Sequence, residues 1–255
     1  MFAPYLFPIG YWITSILFTL LAAPLLILPS RKPLMKWLRL YARTMVGVMR
    51  HLGGIDLTFK GHENLPDGPF ILAPKHQSWG DGFASFSQIP DLGFVTNNRI
   101  LNYPLVGPIL RKIDAIVIDS CGGDAARDSV TGNGLDTART EGRHLLIYPE
   151  GRLVPVGETE RFRKGVYHMY EAYGCPVVPA ATDLGVRWPQ HDTFTVPGPA
   201  TLEFLEPIPP GLDKETFMTR LQDAIEGRSR ALLEEQRAAG TLPDGVELPP
   251  LPQPA

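Results

Sequence analysis

The stretch 70–83, FILAPKHQSWGDGF, sets a histidine and an aspartate five positions apart directly after an apolar run. An imidazole with one nitrogen held by a carboxylate can take a proton from a hydroxyl with the other. Two residues five apart within one helix point different ways, so such a pair needs His76 in the bend before a helix and Asp81 in its first turn. A plainer reading fits the same letters. Ser78 would be a helix N-cap and Asp81 its capping-box partner, with His76 incidental. The chain contains no G-x-S-x-G, so a base of this kind would act on a hydroxyl that the substrate brings.

A second stretch with chemical potential is HLLIYPEGRL, where an apolar run over 145–148 releases Glu150, Gly151 and Arg152. A carboxylate and a guanidinium at the end of a buried strand can line a polar site, or form a surface ion pair at a turn. Between the two stretches, Arg99, Arg111 and Lys112 flank a segment interrupted by Gly107 and Pro108. Taken alone, these basic residues read as solvated surface.

Such residues need a frame, and the apolar periodicity supplies one. Strands are expected at 55–60, 70–74, 93–96, 115–119, 145–148 and 177–181, with a last pair from about Pro197 to Leu205. Helices are expected at 78–88, 104–112, 136–141, 165–173 and 214–238. Buried strands alternating with helices imply an α/β domain with a mostly parallel central sheet flanked by helices, and a ligand at the carboxyl ends of the strands.

The N-terminus is different. Residues 5–28 carry no charge, and about 20 apolar residues suffice to cross a bilayer core as a helix. A cleaved signal peptide would carry its positive charge before the apolar run. Here Arg31 and Lys32 follow it, which by the positive-inside rule places the rest of the chain in the cytoplasm. Pro24, Pro29 and Pro33 leave two expectations open, a span or a dip into one leaflet. A second helix follows, with Leu34, Trp37, Leu38, Tyr41, Met45, Val48, Met49 and Leu52 on one face and Lys32, Lys36, Arg39, Arg43 and Arg50 largely opposite. It would lie on anionic lipid, pack its apolar face on the domain, or do both. The expected division is therefore a membrane segment with its amphipathic helix at 1–52, a catalytic domain at 53–240, and a loose proline-rich tail at 241–255.

The overall charge of −3 gives no reason to expect a nucleic-acid partner, although residues 1–55 hold no Asp or Glu. Cys121 and Cys175 form neither a disulfide framework nor a metal cluster and fit a reducing compartment.

The blocks KHQSWGD, R-I-L-x-x-P-L-V-G, I-V-I-D, Y-P-E-G-R and VVPAA, in that order after a basic amphipathic N-terminus, resemble the bacterial 1-acylglycerol-3-phosphate acyltransferases of the glycerolipid acyltransferase family. The resemblance covers roughly 61–234. It implies a glycerol-3-phosphate acyltransferase-like fold on the inner membrane, and transfer of a fatty acyl group from acyl-CoA or acyl carrier protein to a lysophospholipid hydroxyl. Under it His76 and Asp81 form a catalytic dyad, Arg99 and Asp119 help bind the acceptor, and Glu150, Gly151 and Pro179 belong to the third and fourth blocks. The amides at the start of the Ser78 helix are expected to hold the thioester oxyanion. Nothing in the scheme calls for a metal or an organic cofactor.

Two departures bear on the acceptor. Ser120 stands where the family usually has arginine after I-D, and Glu150-Gly151-Arg152-Leu153 replaces the usual E-G-T-R. Arg152 would then cover the acceptor phosphate, with Arg161, Arg163 or Lys164 as substitutes. Another lysolipid, such as lyso-ornithine lipid, is the alternative acceptor. A membrane-anchored lipid-binding protein or a hydrolase would use the same pocket without transfer.

Overall fold

The computed structural model describes residues 3–97, 101–118, 133–190 and 193–249. Strands β1 (Ile55–Lys60), β2 (Ile71–Pro74), β3 (Leu92–Asn97), β4 (Ile116–Ile118), β5 (His144–Leu146), β6 (Val177–Thr182) and β7 (Gly198–Phe204) form one sheet in the order β1-β7-β6-β2-β5-β3-β4. All neighbours run parallel except β6 and β7, which pair antiparallel with Ala180 opposite Phe204. The expected last strand pair is a single strand, β7. Its partners are the distant β1 and the preceding strand β6, joined to it through residues 183–197 rather than by a tight hairpin turn.

The centre of the sheet is buried on both faces, which is why β2, β5 and β6 read as unbroken apolar runs. Ile71 and Ala73 face one core with Phe217, Leu221 and Ile225 of α7 (Lys214–Ala238) and Val166, Met169 and Tyr170 of α6 (Gly165–Tyr173). Phe70 and Leu72 face the other, with Ala84 of α3 (Gly80–Gln88) and Met49 of α2 (Lys32–His51). The remaining helices are α1 (Ala3–Ala22), α4 (Val106–Lys112) and α5 (Asn133–Thr140).

Helix α1, continued by a 3₁₀ turn to Ile27, is the one helix among the described residues long and apolar enough to cross a membrane. It folds back on α2 as an antiparallel pair. Ser15 Oγ lies 2.8 Å from Tyr41 Oη, Trp37 Nε1 donates to the Phe18 carbonyl at 2.9 Å, and Gly10 sits against Val48 and Leu52. Phe7 reaches the domain itself, packing edge-on against Trp188. The other side of α1, including Ile9, Trp12, Ile13, Leu17 and Leu20, is exposed.

The basic face of α2 is only partly available to lipid. Arg39 and Arg43 donate to the carbonyls of Ser87 and Gln88, the last orphan acceptors of α3. Its apolar face packs on α1 and α3. The expected loose tail is also tied down where described. Buried Arg187 donates to the Thr241 carbonyl at 2.7 Å, and Arg230 donates to the Pro249 carbonyl.

Candidate active site

Strands β2 and β5 are parallel neighbours, so their following residues emerge on the same edge of the sheet. His76 comes two residues after β2 ends and Tyr148 two after β5 ends. Their rings stack, with centroids 3.6 Å apart and an interplanar angle of 12°. Burial, and then the charges of Asp81 and Glu150, push the Tyr148 phenol well above its ordinary pKa, so it presents a neutral ring to the imidazole.

His76 Nδ1 lies 3.2 Å from Asp81 Oδ2 across the bend that precedes α3. The same oxygen accepts the backbone N–H groups of Gln77 and Ser78, both at 2.8 Å. Ser78 Oγ accepts from Gly80 N at 3.0 Å. The expected capping box is only half formed: α3 starts at Gly80 with Trp79 at its N-cap, Ser78 Oγ takes the Gly80 N–H rather than that of Asp81, and the reach back from Asp81 to the Ser78 N–H shares Oδ2 with the His–Asp pair. A carboxylate that accepts both amide protons offers the ring only an acceptor, which puts the imidazole hydrogen on Nδ1 and leaves Nε2 as the lone-pair nitrogen. His76 keeps 19% of its side chain exposed, whereas Asp81 is fully buried. Gly80 allows this close fold. A Cβ there would meet Leu184 at 2.8 Å and Met49 Sδ at 3.1 Å.

The expectation that the first amides of this helix hold an oxyanion is overturned for four of them. The N–H groups of Gln77 and Ser78 are spent on the Asp81 carboxylate, that of Gly80 on Ser78 Oγ, and that of Asp81 on the Ser78 carbonyl.

Of the third-block residues, Glu150 enters the site from beneath. It is completely buried, its Oε2 accepts the backbone N–H of His76 at 2.8 Å, and its Oε1 lies 2.8 Å from Lys75 Nζ. Burial raises its pKa to about 7, with Lys75 opposing and Glu226 adding to the rise. Gly151 turns at φ +70°, and a Cβ there would press on Arg163 Cγ at 3.1 Å. Arg163 holds the turn from outside, donating its backbone N–H to the Pro149 carbonyl at 2.7 Å. Arg152 points to solvent in an ion pair with Glu160, Nε to Oε2 at 2.8 Å. Pro179 is buried in β6 opposite Ala73 and accepts from Leu205 N at 2.8 Å, a place in the sheet beneath the site. Arg99 and Asp119 lie outside the described residues.

Three neighbours escaped the sequence reading. Tyr148 had a signal, as an aromatic closing a buried run beside an acid. Lys75 had another, since a lysine released from a fully buried strand needs a partner. Glu226, on α7, had none.

Beside Asp81, at Gly82 and Phe83, a cavity of about 540 Å³ opens between α1, α2, α3 and α4. Its walls include Tyr11, Phe18, Trp37, Phe86, Ile109 and Leu110 and are almost wholly apolar. The size and lining suit a single alkyl chain better than a polar ligand.

The geometry sets an imidazole held by a buried carboxylate near an apolar cavity. An acyltransferase family model matches residues 56–183, which hold His76, Asp81, Glu150, Gly151, Arg152 and Pro179. The chain is 28% identical over 212 residues to the 1-acyl-sn-glycerol-3-phosphate acyltransferase of Pseudomonas aeruginosa, covering 83% of this chain and 80% of that one. It is 29% identical over 162 residues to the yeast (Saccharomyces cerevisiae) enzyme of the same name, covering 62% and 52% of the two chains. The crystal structure of the 1-acyl-sn-glycerophosphate (LPA) acyltransferase PlsC from Thermotoga maritima superposes with a TM-score of 0.71 at 18% identity, over 92% of this chain and 96% of that one, and shares the fold. The chain belongs to the acyltransferase family.

Proposed function

We propose that this protein transfers a fatty acyl group from a thioester, on coenzyme A or acyl carrier protein, to the free hydroxyl of 1-acylglycerol-3-phosphate, giving phosphatidic acid. The observation that carries the reading is the His76–Asp81 pair at 3.2 Å, with Gly82 and Phe83, the residues that follow Asp81, in the wall of an apolar cavity. His76 Nε2 takes the proton as the acceptor oxygen attacks the thioester carbonyl. The Asp81 carboxylate stabilises the imidazolium that forms. The C–S bond then breaks, and His76 returns the proton to the departing thiolate. The acyl chain occupies the cavity, while Arg152, freed from Glu160, meets the acceptor phosphate. Helix α1 sits in the cytoplasmic membrane and the sheet domain faces the cytoplasm.

A second reading, acylation of a lysolipid without a phosphate monoester, draws support from Ser120 and Leu153 in the usual arginine places and from the engagement of Arg152 by Glu160. Incubation of the purified protein in lipid vesicles with labelled acyl thioesters and a panel of lysolipids tests both. His76→Ala should abolish transfer, since a general base contributes about 10²- to 10⁴-fold. Release of free fatty acid without an acylated product would indicate hydrolysis, and near wild-type turnover by His76→Ala would sink the mechanism.

A further inference from the structure

Behind His76 lies a buried charge cluster that the proposed chemistry does not touch. Lys75 Nζ is 2.8 Å from Glu150 Oε1 and 2.7 Å from Glu226 Oε1, and all three side chains are 3% exposed or less. One lysine facing two carboxyl groups in a dry interior is costly, because the desolvation of such a cluster can outweigh what two contacts return. Leucine and methionine would fill such a space at lower cost. What the cluster does supply is a continuous connection. Glu226 holds Lys75, Lys75 holds Glu150, and Glu150 Oε2 holds the backbone N–H of His76 at 2.8 Å. The connection crosses three elements: the end of β2, the turn after β5, and α7, which lies beyond the matched span 56–183.

We infer that Glu226 is a positioning residue for the acyl-transfer site, fixing the His76 bend from α7 through Lys75 and Glu150. The inference rests on the role proposed above for His76. With the cluster intact, the peptide entering His76 is clamped from below by Glu150, while Asp81 clamps the ring from the α3 side. Without Glu226, Lys75 has one partner and a free direction in which to move, and Glu150 follows it. The ring then keeps its bond to Asp81, but its Nε2 is no longer aimed reproducibly at the acceptor hydroxyl.

Glu226→Leu tests this in the full chain, because it keeps a similar side-chain volume while removing the acceptor that holds Lys75. The expected result is a kcat reduced roughly ten- to hundredfold with KM for both substrates within about twofold, as displacement of a catalytic group by about 1 Å produces. Lys75→Met and the double variant Lys75→Met/Glu226→Leu complete a cycle. If Glu226 acts through Lys75, the double variant loses no more kcat than Lys75→Met alone. Circular dichroism and thermal melting identify the folded variants, and kcat is read well below each melting point. Unchanged kcat in Glu226→Leu overturns the inference, as do losses from the two positions that simply multiply or a loss carried entirely by KM. If the double variant is the only one that folds, wild-type kcat in it is equally fatal. Failure of the proposed function itself looks different: the wild-type protein would then transfer no acyl group to any lysolipid.

Discussion

Replacing Asp81 separates its two structural duties. Asp81→Ala leaves the N–H groups of Gln77 and Ser78 without an acceptor, and both residues are buried. An orphaned buried donor costs about 1 to 3 kcal/mol, so the two together should remove about 2 to 6 kcal/mol. That is a large share of the roughly 5 to 15 kcal/mol that a folded domain holds. For a chain of this size it corresponds to a melting point lower by roughly 5 to 20 °C. Asp81→Asn should behave otherwise. Its amide oxygen can take the Oδ2 place under both donors, so the bend survives and melting shifts by only a few degrees. In the serine-protease triad the equivalent change costs about 10⁴-fold because the amide imposes the wrong imidazole tautomer. Here the two donors select the oxygen, and the tautomer is kept. What is lost is the charge on the partner of the imidazolium, a fall from about 1.5–3 to about 0.5–1.5 kcal/mol for the bond, or roughly ten- to hundredfold in kcat with the added cost of solvating the cation. Thermal melting by circular dichroism and single-turnover acyl transfer measure the two effects. An Asp81→Ala protein that melts with the wild type, or an Asp81→Asn protein with full activity beside an inactive His76→Ala, would refute the reasoning.

Three further outcomes are expected. Arg152→Ala should leave melting unchanged, because its pair with Glu160 is exposed, yet raise the acceptor KM about tenfold or more; Glu160→Gln, which releases Arg152, should lower that KM, and if neither moves acceptor kinetics Arg152 does not read the phosphate. Thr19→Phe, on the α1 wall of the cavity, should reduce kcat/KM for long acyl donors while sparing short ones, as seen in competition between two chain lengths; equal loss for both would place the acyl chain elsewhere. Glu150 has its pKa raised by burial from 4.5 to about 7, so between those values the folded chain keeps a proton that the unfolded chain has released, and its contribution makes stability fall as pH rises through the window. Denaturant unfolding across that range should show a shallower decline for Glu150→Gln, and an unaltered slope would mean that Glu150 is already ionised.

What could be read in the sequence follows the reach of each interaction. His76 and Asp81 are five residues apart in one bend, so local helix-start chemistry was enough to pair them. The strands of the sheet's centre announced themselves because both faces are buried and apolar. The Lys75–Glu226 contact joins residues 151 apart, and no local pattern encodes which helix will cross behind a given strand. Arg39 and Arg43 looked lipid-facing for the same reason. Their acceptors are carbonyls at the end of α3, groups that every residue carries and that composition cannot reveal. The strand pair expected near the C-terminus failed on turn chemistry. Pro197 and Gly198 mark the entry to a single strand whose neighbours are the preceding strand β6 and β1 from the start of the domain.

Helix α1 is the apolar helix long enough to cross a membrane and also one wall of the cavity beside Asp81, through Tyr11, Ser15 and Thr19. Under the function proposed above, the surrounding medium is therefore part of the acyl site. Solubilisation replaces the neighbours of α1 with detergent, whose alkyl tails have the same chemistry as an acyl chain and the same affinity for an apolar slot. Detergent then acts as a competing ligand, with inhibition that tracks tail length. Deleting α1 to obtain a soluble protein removes a wall instead, and an inactive truncated form would say nothing against His76.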